Sequence, residues 1–302
     1  MDHEALAGEF EQHRGPLRAV AYRMLGSLSE ADDAVQETWL RLSRTDTGGI
    51  ASLDAWLRTV VSRICLDMLR TRQARREEPL GGQVAAPARD GGPEDEAVLA
   101  ESVGRAMLVV LDRLAPAERV AFVLHDLFAV PFEQIAPIVG RTPATAKKLA
   151  SRARQRVRGA PAVPRAELGH QRQVVEAFLA AARHGDLAAL LAVLAPDVVR
   201  RADPAALPPG GETVVRGAGA VARQTLVLGP RARFAEPALV NGAVGVLVAP
   251  QGRLLLALTV TVADGRIAGY DVIADPARLR DLDLAVLGEA AENHGGGQRG
   301  RA

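Results

Sequence analysis

From residue 10 to residue 76 apolar side chains recur every three or four positions, which predicts helices throughout. Leu17, Val20, Ala21, Met24 and Leu25 form the inward stripe of the first. Ser29, with Asp32 three residues on, offers a capping pair for a second helix that buries Ala34, Val35, Thr38, Trp39 and Leu42. Its opposite side presents Asp33, Gln36, Glu37 and Leu40 to solvent. After the Gly48-Gly49 break, Ser52 caps a third helix with Trp56, Leu57, Val60, Val61, Ile64, Cys65 and Met68 inward. The period then dissolves into EEPLGGQVAAPARDGGPEDEAVL, a flexible linker with acids at 77, 78, 90, 94, 95 and 96. Helices resume near Glu101, and Pro116 opens one running through Val120, Val123, Leu124 and Leu127. A shorter helix with Phe132, Ile135 and Val139 on one side stops at Gly140. Thr142 and Pro143 then start another, with Ala146, Leu149, Ala150, Ala153 and Val157 inward. Two helices joined by a tight glycine-containing turn, the second of them basic, describe a helix-turn-helix.

Past the linker GAPAVPRAE the period changes. Two amphipathic helices (Val174, Val175, Phe178, Leu179; then Leu187, Leu190, Leu191, Leu194) precede a stretch from Ala232 to Ala274 that alternates or runs apolar. Asn241-Gly242, Gln251-Gly252 and Asp264-Gly265 punctuate it into an antiparallel meander of about four strands. The expected organisation is multi-domain: two all-α units at 8–77 and 101–160, an acidic linker at 78–100, an α+β unit at 168–286 and a disordered tail at 287–302.

A chain of 302 residues, 48% of them hydrophobic, has material for two or three cores. It holds no apolar run of about 18 residues, and its start, MDHEALAGEF, lacks the basic-then-apolar pattern of a signal peptide, so the cytoplasm is expected and no membrane. Cys65, the one cysteine, sits in the apolar run VVSRICLDML as a small buried hydrophobe, and the six histidines lack metal spacing. No cofactor and no metal are expected. The net charge of +1 hides an uneven distribution. Six arginines (58, 63, 70, 72, 75, 76) stand against Asp67 between positions 58 and 76, and seven basic residues with no acid lie between Arg141 and Arg158. Two basic segments in a near-neutral chain predict two footprints on one polyanion.

In a helix-turn-helix the start of the second helix meets base edges in the major groove, which selects Thr142, Thr145, Lys147, Lys148, Ser151 and Arg152. Arg141, Arg154 and Arg156 are assigned to phosphates.

The segments AYRMLGSLSEADDAVQETWLRL, DAWLRTVVSRICLDMLRTRQARRE and LAPAERVAFVLHDLFAVPFEQIAPIVGRTPATAKKLASRARQRVR resemble regions 2 and 4 of the extracytoplasmic-function (ECF) sigma factors, over about residues 10 to 159. The resemblance implies an alternative sigma factor, not an enzyme, that docks on core RNA polymerase through the β′ coiled coil and the β flap. It implies that Asp33, Gln36, Glu37 and Leu40 contact the polymerase. It further implies that Arg58, Arg63, Asp67, Arg70 and Arg72 lie in the stretch that reads and opens the −10 element, and that the helix-turn-helix reads the −35 element. Two tethered domains suit this work, because capturing unstacked bases and reading duplex DNA need different surfaces.

Residues 170 to 285 resemble the SnoaL-like branch of the NTF2-like fold, a curved sheet and helices closing a cone, through LAPDVV, a third helix in VVRGAGAVARQ and the closing DGRIAGYDVIADPARL. The resemblance to sigma-J-like sigma factors implies regulation of the sigma domains by this extension, through an intramolecular contact or a small effector. Asp275, Pro276 and Leu279 match a short motif of that extension, whereas RRADPAALPPGG departs from the family's Gly-rich acidic motif. Glu236 and Asp271 lack a histidine partner for acid–base work, which argues against catalysis. The competing readings are a helix-turn-helix regulator that never joins the polymerase, an enzymatic C-terminal domain, and a structural dimerisation module.

Overall fold

The computed structural model describes residues 3–77, 104–227 and 229–288; the expected linker at 78–100 and all but the first two residues of the expected tail lie outside them. The first unit is a three-helix bundle of α1 (His3–Leu25), α2 (Leu28–Leu42) and α3 (Leu53–Glu77). Ser27 caps α2, its hydroxyl accepting from the Glu30 amide at 3.5 Å, rather than Ser29. The helix begins early because Leu28 must sit in its first turn to be buried, at 2% exposed. Phe10 and Trp39 bring their rings to 5.2 Å, and Arg18 pairs with Asp32 at 2.7 Å across α1 and α2.

The second unit comprises α4 (Arg105–Asp112), α5 (Pro116–Phe122) continuing as a π turn over Val123–Leu127, α6 (Phe132–Val139) and α7 (Pro143–Arg158). Gly140, at φ 67°, closes α6 in the left-handed region, and the Thr142 hydroxyl caps α7 by accepting from the Thr145 amide at 3.3 Å. That is the turn of the expected helix-turn-helix. The two helical units share one core. Helix α3 packs on α1 and α2 with one side and on α5 and α6 with another, so Leu66 and Leu69 are buried alongside the expected Leu57, Val61, Ile64 and Cys65, while Trp56, Val60 and Met68 are only half-buried.

The third unit opens with α8 (Arg165–His184) and α9 (Leu187–Val193) and then forms a seven-stranded sheet. Its strands are β1 (Leu194–Ala202), β2 (Val214–Arg216), β3 (Ala235–Val240), β4 (Ala243–Val248), β5 (Leu256–Ala263), β6 (Arg266–Ile273) and β7 (Leu284–Ala285), in the order β2-β1-β6-β5-β4-β3-β7. Only β1 and β6 run parallel. Helices α10 (Ala218–Val227), α11 (Gly229–Ala232) and α12 (Pro276–Asp281) complete it. The expected meander is β3 to β6. Two expectations need correction. Leu194 starts β1 instead of ending a helical stripe, which leaves Leu187 and Leu191 exposed on α9. VVRGAGAVARQ is split between β2 and α10, because Gly217, at φ 86°, breaks the backbone between them.

β4 and the first residues of β5 are buried on both faces, which explains the nearly unbroken apolar run there. On β4 and β5, Val244, Val246, Val248, Leu256 and Leu258 point into the cone closed by α8 and α10. Their chain neighbours Leu247, Ala249 and Ala257 join the core of the helical units. A close approach holds the units together: Gly159, at φ 60°, sits where a side chain would collide with the Cβ of Ala285. Beside it the Val286 amide donates to the Val157 carbonyl at 2.8 Å.

Candidate nucleic-acid interface

The recognition helix α7 buries Ala146, Leu149, Ala150, Ala153 and Val157 against α5 and α6, so its opposite face is turned outward by the 3.6-residue period. Arg141, Thr142, Lys147, Lys148, Ser151 and Arg152 are exposed there, and Thr145 is half-buried under the cap. Lys147, Lys148 and Ser151 have no side-chain partner among the described residues. Further along, Glu118 receives both Arg152, at 3.3 Å, and Arg156, at 2.6 Å. Arg154 lies to one side, held at 2.6 Å by Asp126; that hydrogen bond raises the pKa of an already strong base. The arrangement is a basic surface whose N-terminal half is free for DNA and whose C-terminal half is held by acids of α5 and its π turn.

The other basic segment is engaged differently. Arg58 pairs with Asp54, and Arg70 with Asp67 at 3.6 Å. Arg63 donates to the Pro137 carbonyl of α6 at 3.3 Å. Arg72 leaves the exposed face altogether: it pairs with Glu30 on α2, donates to the Leu25 carbonyl at 3.2 Å and lies 3.7 Å from Asp112 on α4. On α2, Asp33, Gln36 and Leu40 are exposed and Glu37 is half-buried beside Arg41, an unbroken stripe on one face.

Asp275, Pro276 and Leu279 come together at the junction of the second and third units. Asp275 caps α12, accepting from the amides of Ala277 and Arg278 at 3.0 and 2.9 Å, with Pro276 in the first turn. Leu279 is buried in the shared core. Arg113, at the end of α4, reaches across to donate to the carbonyls of Leu279, at 2.6 Å, and Leu282; burial lowers its pKa. Asp203 braces the motif from β1's end, accepting from the amides of Ala274 and Asp275 at 3.0 and 3.1 Å and pairing with Arg278. Burial pushes the Asp203 carboxyl up, but these donors outweigh it and hold the group below the usual carboxylate range.

The model of "Sigma-70 region 2" matches residues 10–75 and that of "Sigma-70, region 4" residues 104–157. The ECF RNA polymerase sigma factor SigJ of Mycobacterium tuberculosis is 40% identical over 295 residues, covering 91% of this chain and 94% of SigJ. The chain is an ECF sigma factor. A second relative of this sigma factor, the probable ECF sigma factor SigI of the same species, is 34% identical across 95% of the chain and 99% of its own length. The crystal structure of M. tuberculosis SigJ aligns with a TM-score of 0.43 and 35% identity, over 91% of this chain and 98% of that one. Like its relatives, this sigma factor directs RNA polymerase to specific promoters for transcription initiation. Among its described residues no helix is long and apolar enough to cross a membrane.

Several residues that organise the sigma factor escaped the sequence reading. Arg105 pairs with Glu236 on β3 at 3.4 Å, while Glu236 also accepts from the Ala106 amide, so the carboxylate weighed for catalysis belongs to the domain junction. Arg119, 2% exposed, points at Asp112, and burial brings its pKa down to about 10. Burial likewise pushes the Cys65 thiol up to about 12, which fits an inert packing residue.

Proposed function

We propose that the sigma factor is held shut by its own C-terminal domain, and that it opens to read a promoter. In this reading 8–77 reads the −10 element, 101–160 reads the −35 element, 168–286 is the latch, and 78–100 and 287–302 are connecting and terminal segments. Asp33, Gln36, Glu37 and Leu40 grip the β′ coiled coil, region 4 meets the β flap, and the work is done in the cytoplasm. The chemistry of RNA synthesis belongs to the polymerase; the sigma factor supplies recognition alone.

One observation carries the reading: Arg63 of the −10 segment and Pro137 of the −35 hairpin are in hydrogen-bond contact at 3.3 Å. Elements about 25 base pairs apart lie about 85 Å apart along duplex DNA at ~3.4 Å per pair. No single duplex serves both surfaces while they touch. Regions 2 and 4 therefore separate before both elements are read. The C-terminal domain holds region 4 in this arrangement, burying Leu279, Leu282 and Leu284 in the core cluster and engaging Arg105 and Arg113 of region 4.

The test is transcription in vitro with core polymerase and the full chain, comparing the parent with Arg113→Glu. The charge reversal puts a carboxylate against two carbonyls and should raise initiation several-fold at limiting sigma factor. Equal initiation by the two proteins would remove the latch from the account while leaving the sigma assignment standing.

A further inference from the structure

The cone of the third domain encloses a cavity of about 90 Å³ between α8, α10 and the inner face of the sheet. Its wall is apolar almost throughout, with Phe178, Val246, Leu258 and Val272 among the lining residues. The polar members are Gln224, Thr225, Tyr270, Arg231 and, most deeply set, Arg200. Strand β1 alternates, so Val198, Arg200 and Ala202 face inward while Arg201 faces solvent, and the period places a guanidinium, 2% exposed, in the wall of the cavity.

Arg200 is not built as a structural ion pair. Its Nη2 donates to the Gln224 Oε1 at 2.5 Å and to the Glu212 carbonyl at 2.8 Å, both neutral acceptors. Its Nε is buried with no partner, and no carboxylate pairs with it among the described residues. The contrast with Arg119, equally buried, is direct, since that guanidinium has Asp112. A second arginine, the exposed Arg231, also lines the cavity, and no acid does so among the described residues. A buried cation without a counter-charge is disfavoured, and arginine cannot relieve the cost by giving up its proton as lysine can. A fold that keeps one beside an apolar cavity has a place for an anion with a greasy body.

We infer that the cavity binds a short-chain aliphatic monocarboxylate, its carboxylate on Arg200 and its hydrocarbon tail among Phe178, Val246, Leu258 and Val272. The Arg200 guanidinium in the cavity wall supplies a charge-assisted hydrogen bond, the strong kind, and the apolar wall accepts the chain. Size sets the length: cavities of roughly 150 Å³ hold the six carbons of a benzene ring, so one of about 90 Å³ suits an acid of about two to three carbons. Inorganic phosphate would satisfy the charge and waste the wall, and a neutral amide would do the reverse. The inference concerns binding and stands apart from how the domain acts on regions 2 and 4.

Calorimetric titration of the full chain with propionate, propionamide and inorganic phosphate at constant ionic strength tests it, with thermal unfolding as a second readout. Propionate should bind at one site per chain and raise the unfolding midpoint, while propionamide and phosphate should do neither. Arg200→Gln should weaken propionate about 10- to 100-fold, the worth of one charged hydrogen bond. Val246→Phe, which fills the cavity and leaves Arg200 in place, should abolish binding. Should Arg200→Gln fail to fold, the acid–amide comparison and Val246→Phe still decide. Equal binding of the amide or of phosphate, no binding of propionate, or undiminished binding by a folded Arg200→Gln protein would each overturn the inference.

Discussion

The two basic segments of this sigma factor look alike in sequence and differ in the folded chain. In the first, Arg58, Arg63, Arg70 and Arg72 all have intrachain partners, and two of them reach into the other helical unit or toward it. In the second, Lys147 and Lys148 stand exposed without one among the described residues, at the start of the recognition helix. In the proposed closed reading, the contacts of Arg63 and Arg72 with the second helical unit mask the −10 surface more than the −35 surface. The lesson is that charge counts along a chain report the potential for DNA binding, whereas the partners taken up by each cation report which surface is available at once.

The largest expected effect separates the two surfaces. In the double variant Leu279→Asp, Arg113→Glu, a buried leucine becomes a carboxylate, a loss of about 3–5 kcal/mol at the junction. Binding of a single-stranded −10 oligonucleotide by the free protein should rise at least tenfold, while binding of a duplex −35 site should change little. A parallel rise in both would mean that closure masks both surfaces equally, and the comparison would collapse.

Next in size is the recognition helix itself. Lys148→Ala with Arg152→Ala removes two of its cations, the second of them beside Glu118, and should lower the slope of log affinity against log salt by up to about 1.8 for duplex DNA. An unchanged slope would move the recognition surface elsewhere. Gln36→Ala with Glu37→Ala should reduce capture by core polymerase about tenfold without altering DNA binding, since that stripe includes no residue of either basic segment. Undiminished capture would remove α2 from the polymerase contact.

Much of this architecture was legible in the sequence because its signals are local. The helical stripes of α1 to α3, the Gly140–Thr142–Pro143 turn and the Asn-Gly and Asp-Gly corners are each decided within a few residues. The stripe Asp33, Gln36, Glu37 and Leu40 follows from the period of α2 alone. What the sequence hid is long-range. Arg113 meets Leu279 across 166 positions and Arg105 meets Glu236 across 131, and nothing in either neighbourhood points to the other. Arg72 reads as one more arginine of a basic run until the fold puts Glu30 and Asp112 beside it. Arg200 was accessible in principle. Alternation in DVVRRA places one of its two arginines inward, and a charged residue at an inward strand position is a signal in its own right.

Smaller effects sharpen the same contrast. Arg63→Ala removes one exposed hydrogen bond to Pro137, worth about 0.5–1.5 kcal/mol, and should raise −10 binding only a few-fold. The weakest expected effect is on pH. The carboxyl of Asp203 is held below its unfolded value, so its support of the α12 motif is complete above about pH 4 and fades as pH falls through the lowered value. Asp203→Asn should flatten that acid limb in unfolding measurements, and an unaltered limb would assign it to other carboxylates.

The doubly buried sheet has a consequence for how substitutions sort. Along β4 and β5 the even-numbered residues 244, 246, 248, 256 and 258 line one compartment, while 247, 249 and 257 face the other. Parity of residue number thus becomes a phenotype label: even positions report on the interior of the cone, odd ones on its junction with the helical units. A deep mutational scan of this stretch should split into two interleaved profiles one residue out of phase.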